Sequence, residues 1–159
     1  MLMRVDACDM YVAFARRDDV ADISQRGPAT PDHVIRTKRL PMLGHDVDSY
    51  VQLYKTYFEQ NAPNARAQVS MLDPAPRIIL DHEMGLITLA KTAKELRINA
   101  DIYQHTMQII QRAEKLAQLA RGKYVKAIYH PVLINAGDSK NWYTPIMIRS
   151  KVSPELKTR

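Results

Sequence analysis

The stretch with the clearest chemical potential covers residues 30–39 and reads Thr-Pro-Asp-His-Val-Ile-Arg-Thr-Lys-Arg. Three of its last four residues are cations, and such side chains make charge-assisted hydrogen bonds to phosphate or carboxylate. Thr30 before Pro31 is typical of a helix cap and first turn, which also favours anions. The pattern predicts an anion or phosphate site formed by His33, Arg36, Lys38 and Arg39. The alternative is a solvated basic turn that pairs with Asp18, Asp19 and Asp22.

Metal binding depends on the five histidines, because histidine is the commonest metal ligand and a frequent general base. None of them forms a His-x-His or His-x-x-x-His pair, so a zinc site would have to be assembled from distant residues. Cys8 is the only cysteine, which excludes an intrachain disulfide and a cysteine-based zinc site. This usage is consistent with a reducing compartment.

Several common enzyme motifs are missing from the chain. Its five glycines are scattered and form no dinucleotide loop, phosphate loop or Gly-x-Ser-x-Gly elbow, which excludes the usual nucleotide enzymes. No apolar run approaches the roughly 20 residues of a membrane helix, and the N-terminus has no signal-like apolar run. We therefore expect a cytoplasmic protein without a membrane partner.

Helical spacing and capping signals predict two long helices. Apolar residues recur every three or four positions after Asp46 or Asp48, either of which would cap the helix, and 61–64 ends it. The second helix begins at the capping box Thr92-Ala-Lys-Glu and runs to about Arg121. Its two apolar stripes indicate a central helix with neighbours on more than one side.

Shorter signals complete the predicted fold. Residues 77–80 and 85–89 are apolar runs typical of strands in a hairpin. Short helices are expected within 10–22 and from 31 to about 37, while 123–159 favours either weak strands or an unstructured tail. The expected fold is α/β or α+β, with helices packed on a small sheet that could be incomplete. An open sheet edge would favour a homo-oligomer.

The net charge of +6 is confined to the end of the chain. Residues 1–120 carry 15 basic and 15 acidic side chains, whereas residues 121–159 carry 8 and 2. Basic segments often bind nucleic acid, but the tail has few aromatic residues and no RNA-binding signature. A small anion- or nucleic-acid-binding protein is therefore the least favoured interpretation.

The chain resembles the bifunctional rhamnulose-phosphate aldolase/short-chain dehydrogenase family over about residues 11–120. The most distinctive likeness is residues 19–41, which include the Thr-Pro-Asp-His-Val-Ile-Arg-Thr-Lys-Arg element. Further similar segments follow in the same order, at 54–58, 71–77, 85–86, 91–94, 100–103 with 105–106, and 112–114. The resemblance divides the chain into an aldolase-part-like segment, 1–122, and a diverged basic tail, 123–159.

In that family, a zinc-dependent class II aldolase part cleaves a ketose phosphate and a Rossmann dehydrogenase part uses NAD to oxidise the aldehyde. This chain is similar to the region between the two centres, at the end of the aldolase part. It lacks the His-x-His pair of the zinc centre, the glycine loop and the Tyr-x-x-x-Lys pair. His82, within Asp-His-Glu-Met-Gly, loosely resembles the family's third zinc histidine. We expect neither zinc nor NAD to be bound within this chain alone.

The resemblance implies a fragment or stand-alone remnant of the bifunctional enzyme, without a complete active site and with a sugar phosphate as its ligand. A second hypothesis is a subunit that completes the aldolase site of another chain. A truncated gene, a shifted reading frame and a diverged copy would each produce the altered tail.

Overall fold

A four-stranded mixed sheet organises the computed structural model, which describes residues 1–30, 32–65 and 67–119. The sheet order is β1-β4-β3-β2. Strand β4 is antiparallel to β1 and β3, and β2 is parallel to β3. The strands are β1 (Leu2–Asp6), β2 (Met42–Leu43), β3 (Ile78–Asp81) and β4 (Gly85–Ala90). The predicted α/β class is confirmed, and β1 and β2 are the sheet edges within the described residues.

Five helices accompany the sheet in the described part of the chain: α1 (Asp9–Ala15), α2 (Val20–Ile23), α3 (His33–Thr37), α4 (Val47–Asn61) and α5 (Ala93–Leu119). Short 3-10 turns follow α2 at Ser24–Arg26 and α4 at Ala62–Asn64. None of the helices described here combines the length and the apolar character needed to cross a membrane.

Both predicted caps of the long helices are confirmed. Asp46 caps α4, since its Oδ1 accepts a hydrogen bond from the Ser49 amide at 3.0 Å. At α5, Thr92 Oγ1 accepts from the Glu95 amide at 3.2 Å. The Glu95 carboxylate accepts from the Lys91 amide at 3.1 Å, so both members of the box satisfy backbone donors. The predicted end near Arg121 and the predicted tail elements lie outside the described residues.

The predicted hairpin is confirmed as β3 and β4, and it is buried on both faces. Ile78 pairs with Thr88 and Leu80 with Leu86 on one face, whereas Ile79 pairs with Ile87 on the other. The first face packs on α1 and α5 around Phe14, Tyr103 and Met107. The second face packs on Met42 and Tyr50, with Met84 and Leu89 partly buried beside them.

Three elements differ from the sequence-based expectation. Strand β1 is not predicted from the sequence. Its residues are mostly exposed, and its antiparallel pairing with β4 identifies it as a strand. Strand β2 has only two residues, too few for an apolar pattern. The helix expected from Pro31 with Thr30 as cap begins at His33 instead. There the Thr30 carbonyl accepts from the His33 amide at 3.2 Å, which closes a turn before the helix.

Gly85 allows the hairpin to pass close to β1. Its φ of +76° lies in the left-handed region, and a Cβ atom there would meet the Asp6 carbonyl oxygen at 2.7 Å. Gly44 has a similar φ of +66°, but a Cβ atom there would meet nothing within 4 Å. Alanine at residue 44 would therefore introduce backbone strain alone, whereas alanine at residue 85 would introduce both backbone strain and a steric overlap.

The Gly85→Ala variant is expected to lose roughly 1–3 kcal/mol more unfolding free energy than Gly44→Ala, because only residue 85 adds overlap to the shared strain. Urea denaturation followed by circular dichroism measures both values. Equal losses for the two variants would contradict the close approach of β1 to the hairpin.

Candidate functional site

A cavity of about 350 Å³ lies between α4 and the segment that leads from α3 to β2. We call it the tyrosine cavity, because Tyr50, Tyr54 and Tyr57 of α4 line it. Its other walls include Gln25, Arg39, Leu40 and Gln60. Small-molecule sites are typically concavities of about 300–1,000 Å³ with apolar or aromatic walls and a few polar groups. The tyrosine cavity has this character.

Helical geometry places the three tyrosines of the cavity. Positions 50, 54 and 57 are spaced by four and three residues, so they share one face of α4. The Tyr50 hydroxyl donates to the Leu40 carbonyl at 2.9 Å, which ties α4 to the opposite wall. Burial raises the pKa of all three phenols, and they remain neutral at physiological pH.

Two residues of the cavity wall, Tyr57 and Arg39, contact each other. The Tyr57 hydroxyl is buried and has no hydrogen-bond partner among the described residues. The Arg39 guanidinium carbon lies 5.0 Å from the centroid of the Tyr57 ring, a cation–π arrangement that holds the side chain against the wall. The cavity wall therefore carries a positive charge held on an aromatic ring, whereas the Tyr57 hydroxyl is buried.

Lys38 occupies an unusual position directly after α3. Its side chain is buried, with Nζ 4.2 Å from the centroid of the Tyr54 ring, and it donates to the Asp73 carbonyl. Its φ of +66° is in the left-handed region, which costs a residue with a Cβ atom on the order of 1–3 kcal/mol. Burial and the nearby Arg77 charge lower the pKa of Lys38 to about 8, although Asp73 opposes this shift.

The four predicted anion-binding residues do not converge on one point. Lys38 and Arg39 border a common cleft, whereas Arg36 is exposed on α3. His33 faces α5, where its ring lies 6.2 Å from that of His105. Burial, and then the charge of His105, lowers the pKa of His33. Arg39 alone among the four lines the tyrosine cavity in the described part of the chain.

The alternative prediction is that the basic turn pairs with three acidic residues of the first segment. Two of those three carboxylates pair with other residues. Asp19 instead accepts from Arg17 at 2.7 Å, and Asp22 pairs with Arg26 at 2.5 Å. Arg26 also reaches Glu114 of α5 at 2.8 Å. Lys38 and Arg39 therefore rest on tyrosine rings rather than on these carboxylates.

His82, the metal candidate, lies in the turn of the hairpin with its side chain 68% exposed. The backbone around it is well anchored, because the His82 carbonyl accepts from Arg16 Nε at 2.7 Å. Over residues 1–30, 32–65 and 67–119, no three His, Cys, Asp or Glu side chains are grouped so that they could hold a metal ion. His82 therefore has no group of potential metal ligands around it among the described residues.

Asp81 is the polar centre of that turn. Its Oδ1 accepts from the amides of Glu83 and Met84 at 2.8 and 2.7 Å, and His45 Nε2 lies 3.0 Å from its Oδ2. Burial raises the pKa of the carboxyl, but the two amide hydrogen bonds and the nearby histidines outweigh it and lower the pKa. Asp81 therefore stabilises the hairpin in its ionised form.

The spacing of the α4 tyrosines is typical of a stripe packed in the core, so the sequence does not predict their cavity. Only Tyr50 reaches the buried core, while Tyr54 and Tyr57 are half-buried. The sequence shows that the tyrosines share one helix face. It does not show that Arg39 lies opposite them, because that position depends on how the chain folds. Tyr103 of α5 lies in the core, and its hydroxyl has no partner among the described residues.

The chain forms a small α/β domain with Arg39 in the wall of its tyrosine cavity. The family model described as "Aldolase class II, second domain" matches residues 1–132. This match covers most of the chain, which therefore belongs to that family.

One relative is a Bacillus subtilis (strain 168) protein named "Uncharacterized oxidoreductase YuxG". It is 23% identical over 135 residues, covering 74% of this chain and 19% of that protein. The chain thus spans less than a fifth of the length of this relative. No solved structure matches the chain.

The Asp81→Ala variant is expected to lose about 1–3 kcal/mol of unfolding free energy, because it leaves two turn amides without an acceptor. Asp18→Ala, at an exposed position, is the matched control and should change stability by less than about 0.5 kcal/mol. Since the folded-state pKa of Asp81 is lowered, its contribution is full above the unfolded pKa of about 3.9 and is lost as the pH falls further. Denaturation at pH 7 and pH 3 checks both statements, and an unchanged difference between wild type and Asp81→Ala would contradict them.

Proposed function

We propose that this chain is a sugar-phosphate-binding domain of a rhamnose-catabolic enzyme similar to the bifunctional rhamnulose-phosphate aldolases/dehydrogenases. In this proposal the domain acts in the cytoplasm and lacks an aldol-cleaving zinc centre of its own. Membership of the class II aldolase second-domain family supports the aldolase side. The Bacillus relative is named an oxidoreductase, and this chain covers 19% of it, which is in keeping with a longer enzyme that has an oxidoreductase part.

The observation that carries the proposal is the tyrosine cavity with Arg39 in its wall. Arg39 would pair with the phosphate, because a guanidinium makes charge-assisted hydrogen bonds to phosphate oxygens. The tyrosine rings would contact the apolar C–H faces of the sugar, and the Gln60 amide would bond to its hydroxyls. Binding and orientation are the roles that these residues support.

A second candidate function, completion of another chain's aldolase site, is favoured by the exposed surface of β1. Leu2, Met3 and Val5 are 47%, 64% and 44% exposed on this edge strand. Apolar edge strands commonly pair with another polypeptide. The two functions are compatible, since the β1 edge and the tyrosine cavity are lined by different residues.

The Arg39→Ala variant is expected to bind rhamnulose 1-phosphate roughly ten- to a hundred-fold more weakly than wild type, because one charge-assisted contact is lost. Arg36→Ala is the matched control, since Arg36 is exposed and outside the cavity wall. Isothermal titration calorimetry with rhamnulose 1-phosphate and with unphosphorylated rhamnulose measures the contribution of the phosphate. Equal wild-type affinities for both sugars, or an equal loss in both variants, would contradict the assigned role of Arg39.

The purified chain is expected to show no aldol cleavage of rhamnulose 1-phosphate, with or without added zinc. The physical reason is that its described residues bring no three metal-binding side chains together. A coupled assay for the released aldehyde measures turnover, with a complete class II aldolase as the positive control. Zinc-dependent turnover by the chain would overturn the proposal that it has no aldol-cleaving centre.

A further inference from the structure

The outer edge of β1 is open in the part of the chain that the structure describes. Strand β4 pairs with one edge of β1, and no described strand pairs with the other. The pairing with β4 runs from Leu2 to Asp6 without a bulge, and β1 contains no proline. Bulges and prolines are two of the devices by which natural proteins block an edge strand. The free edge of β1 therefore retains the backbone N–H and C=O groups that a further strand needs.

One face of β1 is apolar and exposed. Met3 lies opposite Leu89 and Val5 lies opposite Ile87, so these side chains share the sheet face that packs on Tyr50. Ile87 is only 3% exposed on this face, whereas Met3 and Val5 are 64% and 44% exposed. A further strand beside β1 would remove part of this apolar surface from water, which favours association.

The other face of β1 carries two opposite charges. Arg4 and Asp6 lie two residues apart on it, with Arg4 Nη2 2.6 Å from Asp6 Oδ2. Both side chains remain in contact with solvent, at 43% and 25% exposure. An antiparallel strand would complement them if it placed an acidic residue opposite Arg4 and a basic residue opposite Asp6. Strand β1 of a second copy meets both conditions.

The register of two β1 strands follows from these charges. When a two-fold axis passes through Val5, Arg4 of each copy lies opposite Asp6 of the other, and the two Val5 residues lie opposite each other. When the axis passes through Arg4 instead, the two Arg4 side chains are opposed, and like charges in this position are destabilising. The charge order of β1 therefore selects the axis at Val5, which gives the self-complementary interface that a two-fold dimer requires.

We propose that β1 is a dimerisation edge, at which two copies of this chain pair antiparallel about a two-fold axis at Val5. The product is one continuous sheet with four strands from each copy. On one face, Met3 and Val5 of both copies form a shared apolar surface. On the other face, two Arg4–Asp6 pairs connect the copies.

The dimer uses the same edge that the second candidate function assigns to another aldolase chain, so the two partners exclude each other there. It does not depend on sugar-phosphate binding, because β1 contributes no residue to the wall of the tyrosine cavity. A failure of one proposal therefore leaves the other standing.

The first test is charge reversal, followed by sedimentation velocity of the full chain from about 1 to 100 µM. The wild type should form a dimer in this range. Arg4→Asp and Asp6→Arg should each raise the dimer dissociation constant at least about ten-fold, since each variant opposes like charges at both cross-strand pairs. An equimolar mixture of the two variants should dimerise again, because an acidic strand then faces a basic one. Arg36→Asp, at an exposed position of α3, is the matched control and should dimerise like the wild type.

Circular dichroism checks the fold of each variant, since both also remove the Arg4–Asp6 bridge within one copy. A wild type that stays monomeric over this range would overturn the proposal, and so would a mixture that stays monomeric. A dimer that both single variants retain would also overturn it, because the interface would then lie elsewhere.

The second test determines the register by disulfide trapping in a Cys8→Ser background, because Cys8 is free and exposed. Two Val5 residues directly opposite each other would have Cα atoms about 4.5–5.5 Å apart, which is within disulfide range. The two Met3 residues would be separated by about 13 Å along the strands. Val5→Cys should therefore crosslink and Met3→Cys should not, as measured by non-reducing gel electrophoresis. Equal crosslinking of the two variants, or none in Val5→Cys, would contradict the axis at Val5.

Discussion

Burial of the β3–β4 hairpin on both faces is the constraint on which the rest of the structure depends. Ile78 and Leu86 are fully buried against α1 and α5, while Ile79 and Ile87 pack towards Tyr50. Each such side chain contributes about 1.5–3 kcal/mol by leaving water. Since Tyr50 also ties α4 to the Leu40 carbonyl, the packing that stabilises the sheet also holds one wall of the tyrosine cavity.

The segment from α3 to β2 brings the cations to the tyrosines of α4. Lys38 rests on Tyr54 and donates to the Asp73 carbonyl, while Arg39 rests on Tyr57. The Asp73 carboxylate in turn pairs at 2.5 Å with the guanidinium of Arg77, the residue directly before β3. Contacts of this kind place charges in advance of binding, so that less side-chain freedom is lost when a ligand arrives. Arg39 is thus held in the wall of the tyrosine cavity before any ligand binds.

The parts predicted well from the sequence are those with local signals. Asp46, the Thr92 capping box and the apolar runs of the hairpin each act within a few residues, and all are confirmed. Strand β1 forms by pairing with β4, and only Arg39, not Arg36, lines the tyrosine cavity. Both features depend on contacts between residues far apart in the chain, which residue spacing does not reveal. The tyrosine spacing of α4 suits a core stripe and a cavity wall equally, and only the segment opposite distinguishes them.

The most direct test of the central claim is chemical-shift mapping of the isotope-labelled chain titrated with rhamnulose 1-phosphate. The cavity in the structure predicts amide shifts concentrated at residues 38–40 and along α4 from 50 to 60, with the hairpin turn at 82–84 unaffected. Shifts centred on the His82 turn, or no saturable shifts at all, would contradict the assignment of the tyrosine cavity as the sugar-phosphate site.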